Sequence, residues 1–355
     1  MKKVIKVLGR IILVLLTVVI FIFGTLMTGI YIINRGSSSE VRNLYVSTLL
    51  ETGAMKFAAG IFLSEEELNE IVANTSMKEM EVDIDSSMIN TSTDQATSNE
   101  SEDTDTVPLD TIEIEKLAGR TFTATIMIVH DPSRIYCATS YPWGGHGYSL
   151  ETYINLNNAI GGINGGLFDN SELKTGIPIG PVVSKGKILN TSMGTPGLYM
   201  IGFDEDNILR IIDLKGVTPA QVKDVVEKNR IRDAVTFQDY LDGTNSHFVP
   251  LLINGEPRET TGKGSGANPR TAIGQRADGT LILVVTDGRG TAGHIGATAS
   301  DLIDIMQKYD AVNAANIDGG ASTSMYYDGE YLMTSTLLYY NNNSSWRYPT
   351  CFLIK

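Results

Sequence analysis

Ile11 to Ile33 runs for twenty-three residues without a charge. A helix of roughly 20 apolar residues spans the hydrocarbon core of a bilayer, so this run divides the chain before anything else is considered. It is longer than the apolar region of a cleaved leader, and no A-x-A-like site follows it, so it reads as a signal anchor over 11–33. Lys2, Lys3, Lys6 and Arg10 flank its N-terminal side, which makes residues 1–10 a cytoplasmic tail and leaves everything after Asn34 extracellular.

The segment 41–80 carries an irregular apolar helical face in Leu44, Leu49, Leu50, Phe57, Ile61 and Phe62. Within it Ser64 precedes Glu65-Glu66-Glu67 as a capping box that opens a second helix. A juxtamembrane helical stalk is the expectation. From Glu81 to Thr106 the chain turns to Ser, Thr, Asp, Asn and Glu, too polar to bury enough surface to order itself, so 81–116 reads as an acidic disordered linker. Nine basic and eighteen acidic residues precede Ala118, against nineteen and twenty-three after it. The acidity therefore lies mainly outside the domain that follows and says little about a substrate. The chain has no basic patch of the kind a nucleic-acid partner requires.

Residues 117–355 have the composition of a folded domain, patterned as short apolar strands separated by turn residues. Met200 to Phe203 and Ile208 to Ile212 flank Asp204-Glu205-Asp206-Asn207; Thr271 to Gln275 and Leu281 to Thr286 flank Ala277-Asp278-Gly279; Tyr327-Asp328-Gly329-Glu330 repeats the device. Two helices stand out, one opened by Thr218-Pro219-Ala220-Gln221 and one running from Thr298, with Asp301, to near Tyr309. Many strands and few helices predict an α+β fold: a single catalytic domain on a large, mostly antiparallel twisted sheet, preceded by the transmembrane helix and its stalk. Cys137 and Cys351 fall in different strands with no CxxC and no histidine spacing, which leaves either one disulfide or two buried thiols and argues against a thiolate metal site.

Four strand ends carry the chemistry. Ala311 to Tyr327 reads A-V-N-A-A-N-I-D-G-G-A-S-T-S-M-Y-Y, an apolar strand that stops at Asp318, Gly319 and Gly320 and then at Ser322 and Thr323, where backbone can approach a ligand closely. Asn164, Gly165, Gly166 and Asp169 end another strand, and paired glycines there can expose successive amides to an anion. Arg270 follows Pro269, where a guanidinium can hold a phosphate or carboxylate bidentately. Asp287 and Arg289 cap the next strand, His294 follows in a glycine-rich loop, and Arg347 precedes the last strand. Carboxylates suit glycosidic cleavage and arginines suit an anionic leaving group, so a sugar joined through phosphate fits the set.

At these residues the chain closely resembles the phosphodiester glycosidase family, which is related to the mammalian uncovering enzyme and whose bacterial members are often labelled exopolysaccharide biosynthesis proteins. The resemblance runs from about Gly119 onward through N-G-G-L-F-D at Asn164, G-P-V-V-S-K-G-K at Gly180, N-P-R-T-A-I-G at Asn268, V-T-D-G-R at Val285, N-I-D-G-G-A-S-T-S-M at Asn316 and the closing W-R-Y-P-T. Ala321 stands where the family often has a third glycine, and Tyr348 separates Arg347 from Pro349. The resemblance implies hydrolysis of a sugar-1-phosphate diester with release of the sugar.

The leading reading is thus a membrane-anchored extracellular hydrolase releasing a sugar, N-acetylglucosamine or a relative, from a phosphodiester in an envelope glycopolymer. It assigns Asp318 and Asp169 as the acid/base pair and Asp287 to orienting the arginines. Arg270, Arg289 and His294 surround the phosphate. Asn164, Gly165, Gly166, Gly319, Gly320, Ser322, Thr323 and Arg347 complete the binding surface. No organic cofactor is expected. A non-catalytic domain binding anionic glycan is the rival from another class, and a phosphodiesterase holding a divalent cation through Asp and Asn is the third. A hydroxyl nucleophile among Ser322, Thr323 and Ser324 ranks last, since no histidine is placed by sequence to serve as its base.

Overall fold

Alternation within each strand decides the architecture. In Thr123–Val129, Met127 and Val129 face one core while Ala124, Ile126 and Ile128 face another. A sheet that buries both faces needs a partner on each. The computed structural model, which describes residues 2–52, 55–91, 107–170, 175–242, 245–335 and 344–355, supplies them by wrapping three antiparallel sheets around a shared core. The residues 92–106, the centre of the expected linker, lie outside the described residues.

The first sheet has seven strands in the order Ile112–Ala118, Thr123–Val129, Leu281–Thr286, Thr271–Arg276, Ala311–Ile317, Pro250–Ile253, Glu256–Pro257. The second has five: Leu209–Asp213, Leu198–Asp204, Ile231–Gln238, Val182–Ser184, Lys187–Asn190. The third has five: Glu330–Thr334, Ser324–Tyr327, Gly161–Asn164, Thr350–Ile354, Ile135–Thr139. Ile273, Val285 and Ile317 from the first, Ile201, Phe203 and Val235 from the second, and Ile163 and Phe352 from the third meet in the shared core.

The chain has seven α-helices among the described residues: α1 Lys2–Arg35, α2 Ser39–Leu50, α3 Lys56–Ala59, α4 Glu65–Ala73, α5 Leu150–Asn157, α6 Val222–Lys228 and α7 Ala299–Lys308. Each outward sheet face is closed by one of the last three. α7 covers the first sheet through Leu302 and Met306, α5 the third through Leu150 and Tyr153, and α6 the second through Val222 and Val226. The expected boxes form: Thr298 and Asp301 cap α7 reciprocally, and Thr218 and Gln221 open the 3₁₀ turn before α6. α5 was not among the expected helices. Its signals are Ser149, whose hydroxyl accepts from Thr152 N, and Asn158, which ends it in the left-handed region at φ 50°.

Cys137 and Cys351 are free and buried. They lie on adjacent strands, but Cys351 pairs with Ala138 and Phe352 with Cys137, so period two sends the thiols to opposite faces. Burial pushes both thiols well up.

The N-terminal part differs from the stalk expected for 41–80. α1 is long and apolar enough to cross a membrane, and its end is tied down: Asn34 Nδ2 donates to Ile61 O at 2.7 Å and Arg35 pairs with Glu67 at 2.5 Å. α2, α3 and α4 share a small core of Val46, Leu50, Ala59, Ile71 and Val72. Instead of standing apart, this unit is laid on the sheets. Met77 bridges Thr260, Lys78 N donates to Glu259 O at 2.9 Å, and Met80, Val82 and Ile84 pack against the shared core. The described start of the expected linker, residues 81–91, is therefore packed, because its alternate residues are apolar even though the rest are acidic and polar.

Candidate active site

The ends of strands Ala311–Ile317, Thr271–Arg276 and Leu281–Thr286 in the first sheet open onto a cleft of about 690 Å³, which α2 closes from the side with Glu51. Asp318 stands at its floor, half-buried. The Ser322 hydroxyl and Gly319 amide donate to its carboxyl and Arg289 lies near, yet desolvation outweighs all three and holds its pKa up to about 7. The loop that carries Asp318 is fixed by backbone: Gly320 N donates to Pro269 O at 2.8 Å, so the Asp-Gly-Gly and Asn-Pro-Arg segments are one unit.

Gly320 is required twice. Its φ is +59°, and a Cβ there would lie 2.8 Å from Arg289 Nη2. The guanidinium of Arg289 therefore rests on this glycine. Arg289 itself holds a left-handed φ of 53°, a conformation a non-glycine residue keeps only where its surroundings impose it. Its buried Nε has no hydrogen-bond partner among the described residues, and burial, aided by Arg270, pushes its pKa down against the opposing pull of Asp318. A desolvated cation with an unused donor, beside a carboxyl whose pKa burial holds at about 7, can receive an anion next to a group able to transfer a proton.

Arg270 also lines the cleft, and its Nε and Nη2 donors are engaged. Nη2 donates to Glu51 at 2.5 Å and to Gly266 O at 2.7 Å, and Nε to Ala297 O at 3.2 Å. The guanidinium lies 5.0 Å over the Phe248 ring. Of the two arginines, Arg289 keeps a buried guanidinium donor with no acceptor among the described residues, whereas Arg270 is held in place through Nε and Nη2.

Asp318, Gly319, Gly320, Ser322, Arg270 and Arg289 thus converge on one cleft, and the other expected residues do not line it. Asn164 is fully buried behind Asp318: Nδ2 donates to Asp318 O at 2.6 Å, and Oδ1 accepts from Thr271 Oγ1 at 2.8 Å and Ser324 N at 3.2 Å. It braces three segments rather than binding a ligand. Gly165 and Gly166 serve packing, since a Cβ would lie 2.5 Å from Thr350 O in the first case and 2.4 Å from Thr236 O in the second. Gly166→Ala is accordingly expected to cost about 3 kcal/mol or more, because the obstacle is backbone of a central strand; urea unfolding against wild type measures it.

Asp169 does not line the cleft, although Phe168 and Asn170 do, because adjacent strand residues point oppositely. Asp287 touches neither arginine by hydrogen bond. It accepts from Thr123 N at 2.7 Å and pairs with His294 Nδ1 at 2.8 Å, which holds the loop, and His294 is not among the residues lining the cleft. Thr323 is buried outside the lining, and Arg347 is exposed while its neighbour Trp346 faces the cleft. Sequence reasoning missed Glu51, Asn268, Asn316, His247 and Trp346 as lining residues. Asn316 Oδ1 is buried without a hydrogen-bond partner among the described residues, a second unused group at the floor. No group of three His, Cys, Asp or Glu side chains suited to a metal ion occurs among the described residues.

Comparison with known proteins bears on the same segments. A Bacillus subtilis protein described as SPbeta prophage-derived and uncharacterized, YomE, is 40% identical over 65 residues, 18% of this chain and 10% of that one. Mouse N-acetylglucosamine-1-phosphodiester alpha-N-acetylglucosaminidase is 28% identical over 183 residues, 47% of this chain and 31% of that one. This chain therefore spans under a third of either relative. The solved catalytic domain of the zebrafish enzyme of that name, auto-inhibited by its pro-peptide, shares the fold with a TM-score of 0.51 at 19% identity, covering 71% of this chain and 85% of that one. The family described as phosphodiester glycosidase matches residues 157–355, a span that contains Asp318, Arg289 and Arg270, and with more than half its length inside that match the chain belongs to the phosphodiester glycosidase family.

Proposed function

We propose that the protein is a hydrolase that releases a sugar, N-acetylglucosamine or a close relative, from phosphodiester linkage in an envelope glycopolymer. The observation that carries this reading is the pairing of Asp318, with its carboxyl held near 7, and the unpaired Arg289 in one cleft. Family membership and the name of the mouse relative supply the substrate class.

The chemistry follows from the leaving group. A phosphomonoester departs without needing a proton, so the work left to the protein is to activate water and to stabilise charge on the departing phosphate. Asp318, ionised, takes a proton from water as its oxygen bonds to the anomeric carbon. The bond from that carbon to the phosphate oxygen breaks, and the phosphate leaves with the electron pair against Arg289. Asn316 and Trp346 line the space for the sugar. A single carboxylate suffices for this scheme, in place of the Asp318 and Asp169 pair.

We infer further that residues 11–33 anchor the chain in the cell membrane, that residues 1–10 remain in the cytoplasm, and that the catalytic domain lies outside, where its polymer is. The basic flank and the apolar helix α1 support that topology. Because the helical unit is packed on the sheets, the functional body begins near Ser39 and not near residue 117.

The test is release of free sugar by the detergent-solubilised full-length protein from a panel of α- and β-linked sugar-1-phosphodiesters, followed by chromatography of both products. Free N-acetylglucosamine with the matching phosphomonoester is expected. Binding of the diesters without any release would leave the rival reading, an anionic-glycan-binding domain.

A further inference from the structure

Glu51 is the acidic group that the cleft receives from outside the segments matched by the family. It ends α2, and its side chain is 5% exposed. Its carboxylate accepts from Gly266 N at 2.7 Å, Asn268 Nδ2 at 3.1 Å and Arg270 Nη2 at 2.5 Å. The other acceptors of the Arg270 guanidinium, Ala297 O, Gly266 O and Ser265 Oγ, are neutral. Arg270 is buried, and a buried guanidinium stripped of its counter-charge is far less stable than one that keeps it. Arg289 stands near enough for the charge of Arg270 to disfavour its own. Two cations side by side in a desolvated cleft hold their places only if an anion compensates one of them.

The helix that brings this anion is seated for good. Gly266 lies so close to α2 that a Cβ on it would be 2.5 Å from the Ser47 backbone. Thr48 Oγ1 accepts from Ala267 N at 2.9 Å. Beyond α4, Gly262 meets the Asn74 carbonyl as closely, where a Cβ would be 2.6 Å away. These are close approaches between segments some 200 residues apart, and they fix the C-terminal end of α2 and the end of α4 against the loop at 262–267.

We propose that Glu51 is a positioning residue of the active site: by pinning and neutralising Arg270, it lets Arg289 stand beside it unpaired and available to the phosphate of the substrate. The inference rests on the phosphodiester glycosidase reading. It makes the membrane-proximal helices part of the enzyme, since a span beginning at residue 157 lacks the residue that sets its arginines.

The experiment compares full-length wild type with Glu51→Gln and Glu51→Asp on an N-acetylglucosamine-1-phosphodiester and on an uncharged aryl N-acetylglucosaminide. Glu51→Gln is expected to lower kcat/KM about 100-fold on the diester, mainly through KM, and only about 5-fold on the aryl glycoside. Glu51→Asp, which keeps the charge, recovers most of the loss. Equal losses on both substrates reduce Glu51 to a brace of the fold, and a gain on the diester makes it an occluding group; either overturns the proposal. If wild type turns over no diester, the glycosidase reading fails instead. The placement is then read from the Arg270 Nη–H resonances, because Nη2 is the group that donates to Glu51: slow solvent exchange in wild type and fast exchange in Glu51→Gln uphold it, and unchanged exchange ends it.

Discussion

Asp318→Asn is expected to lower kcat/KM on a sugar-1-phosphodiester by about 10² to 10⁴-fold, the range for loss of a positioned base, while making the protein harder to unfold at pH 8. Both effects come from one cause. The ordinary value for this carboxyl is 3.8 and the folded value is about 7, so between those limits the folded state binds more protons than the unfolded state. Stability from this group is therefore fully present below 3.8, declines as pH rises, and is lost once pH passes 7. Three units correspond to about 4 kcal/mol, and partial access to water reduces that to about 2 to 4 kcal/mol. Asparagine has no charge to desolvate and can keep an acceptor for Ser322 or Gly319. Urea unfolding at pH 5 and pH 8 should show the variant gaining on wild type as pH rises. In wild type the same ionisation should appear as an acid limb near pH 7 in kcat/KM. A variant that keeps turnover, or that is weaker than wild type at pH 8, would remove Asp318 from the centre of the mechanism.

What the sequence made legible was which segments converge, and what it hid was which side chain of each faces inward. The glycine and proline punctuation of Asn164–Asp169, Asn268–Gly274 and Asp318–Gly320 marks strand ends, because a residue without a Cβ permits the close backbone approach found between Gly319 and Pro269. The α+β class was legible for a related reason, in that hairpin turns and caps are local. Side-chain direction is not local. Phe168 and Asn170 turn to the cleft and Asp169 does not; Trp346 does and Arg347 does not. In each case the error is one residue, the step that separates the two faces of an extended chain. Glu51 was hidden for a different reason. Its meaning depends on Gly266, Asn268 and Arg270, more than 200 residues later, and its own neighbourhood reads only as an acidic helix end.

Arg289→Gln is expected to cost about 10² to 10³-fold in kcat/KM on the phosphodiester, or about 3 to 4 kcal/mol of transition-state stabilisation, against about tenfold or less on an aryl glycoside. The contrast follows from where charge develops. On cleavage of the diester the departing phosphate gains a full negative charge, and a guanidinium with an unused, desolvated Nε strengthens its contact as that charge grows. An aryl leaving group places its smaller charge elsewhere and loses less. Arg289→Lys should recover little, because an ammonium group cannot present the same planar donors from the seat on Gly320. Arg270→Gln is also expected to fail, but without the same selectivity: Arg270 is spent on Glu51, Gly266 and Ala297, so its loss leaves Glu51 buried without a partner and disturbs the cleft for every substrate. Steady-state kinetics of the two variants on both substrates therefore separate the cation that meets phosphate from the cation that is held. If Arg270→Gln shows the selective loss and Arg289→Gln does not, the two arginines exchange roles and Glu51 competes with the substrate for the first of them.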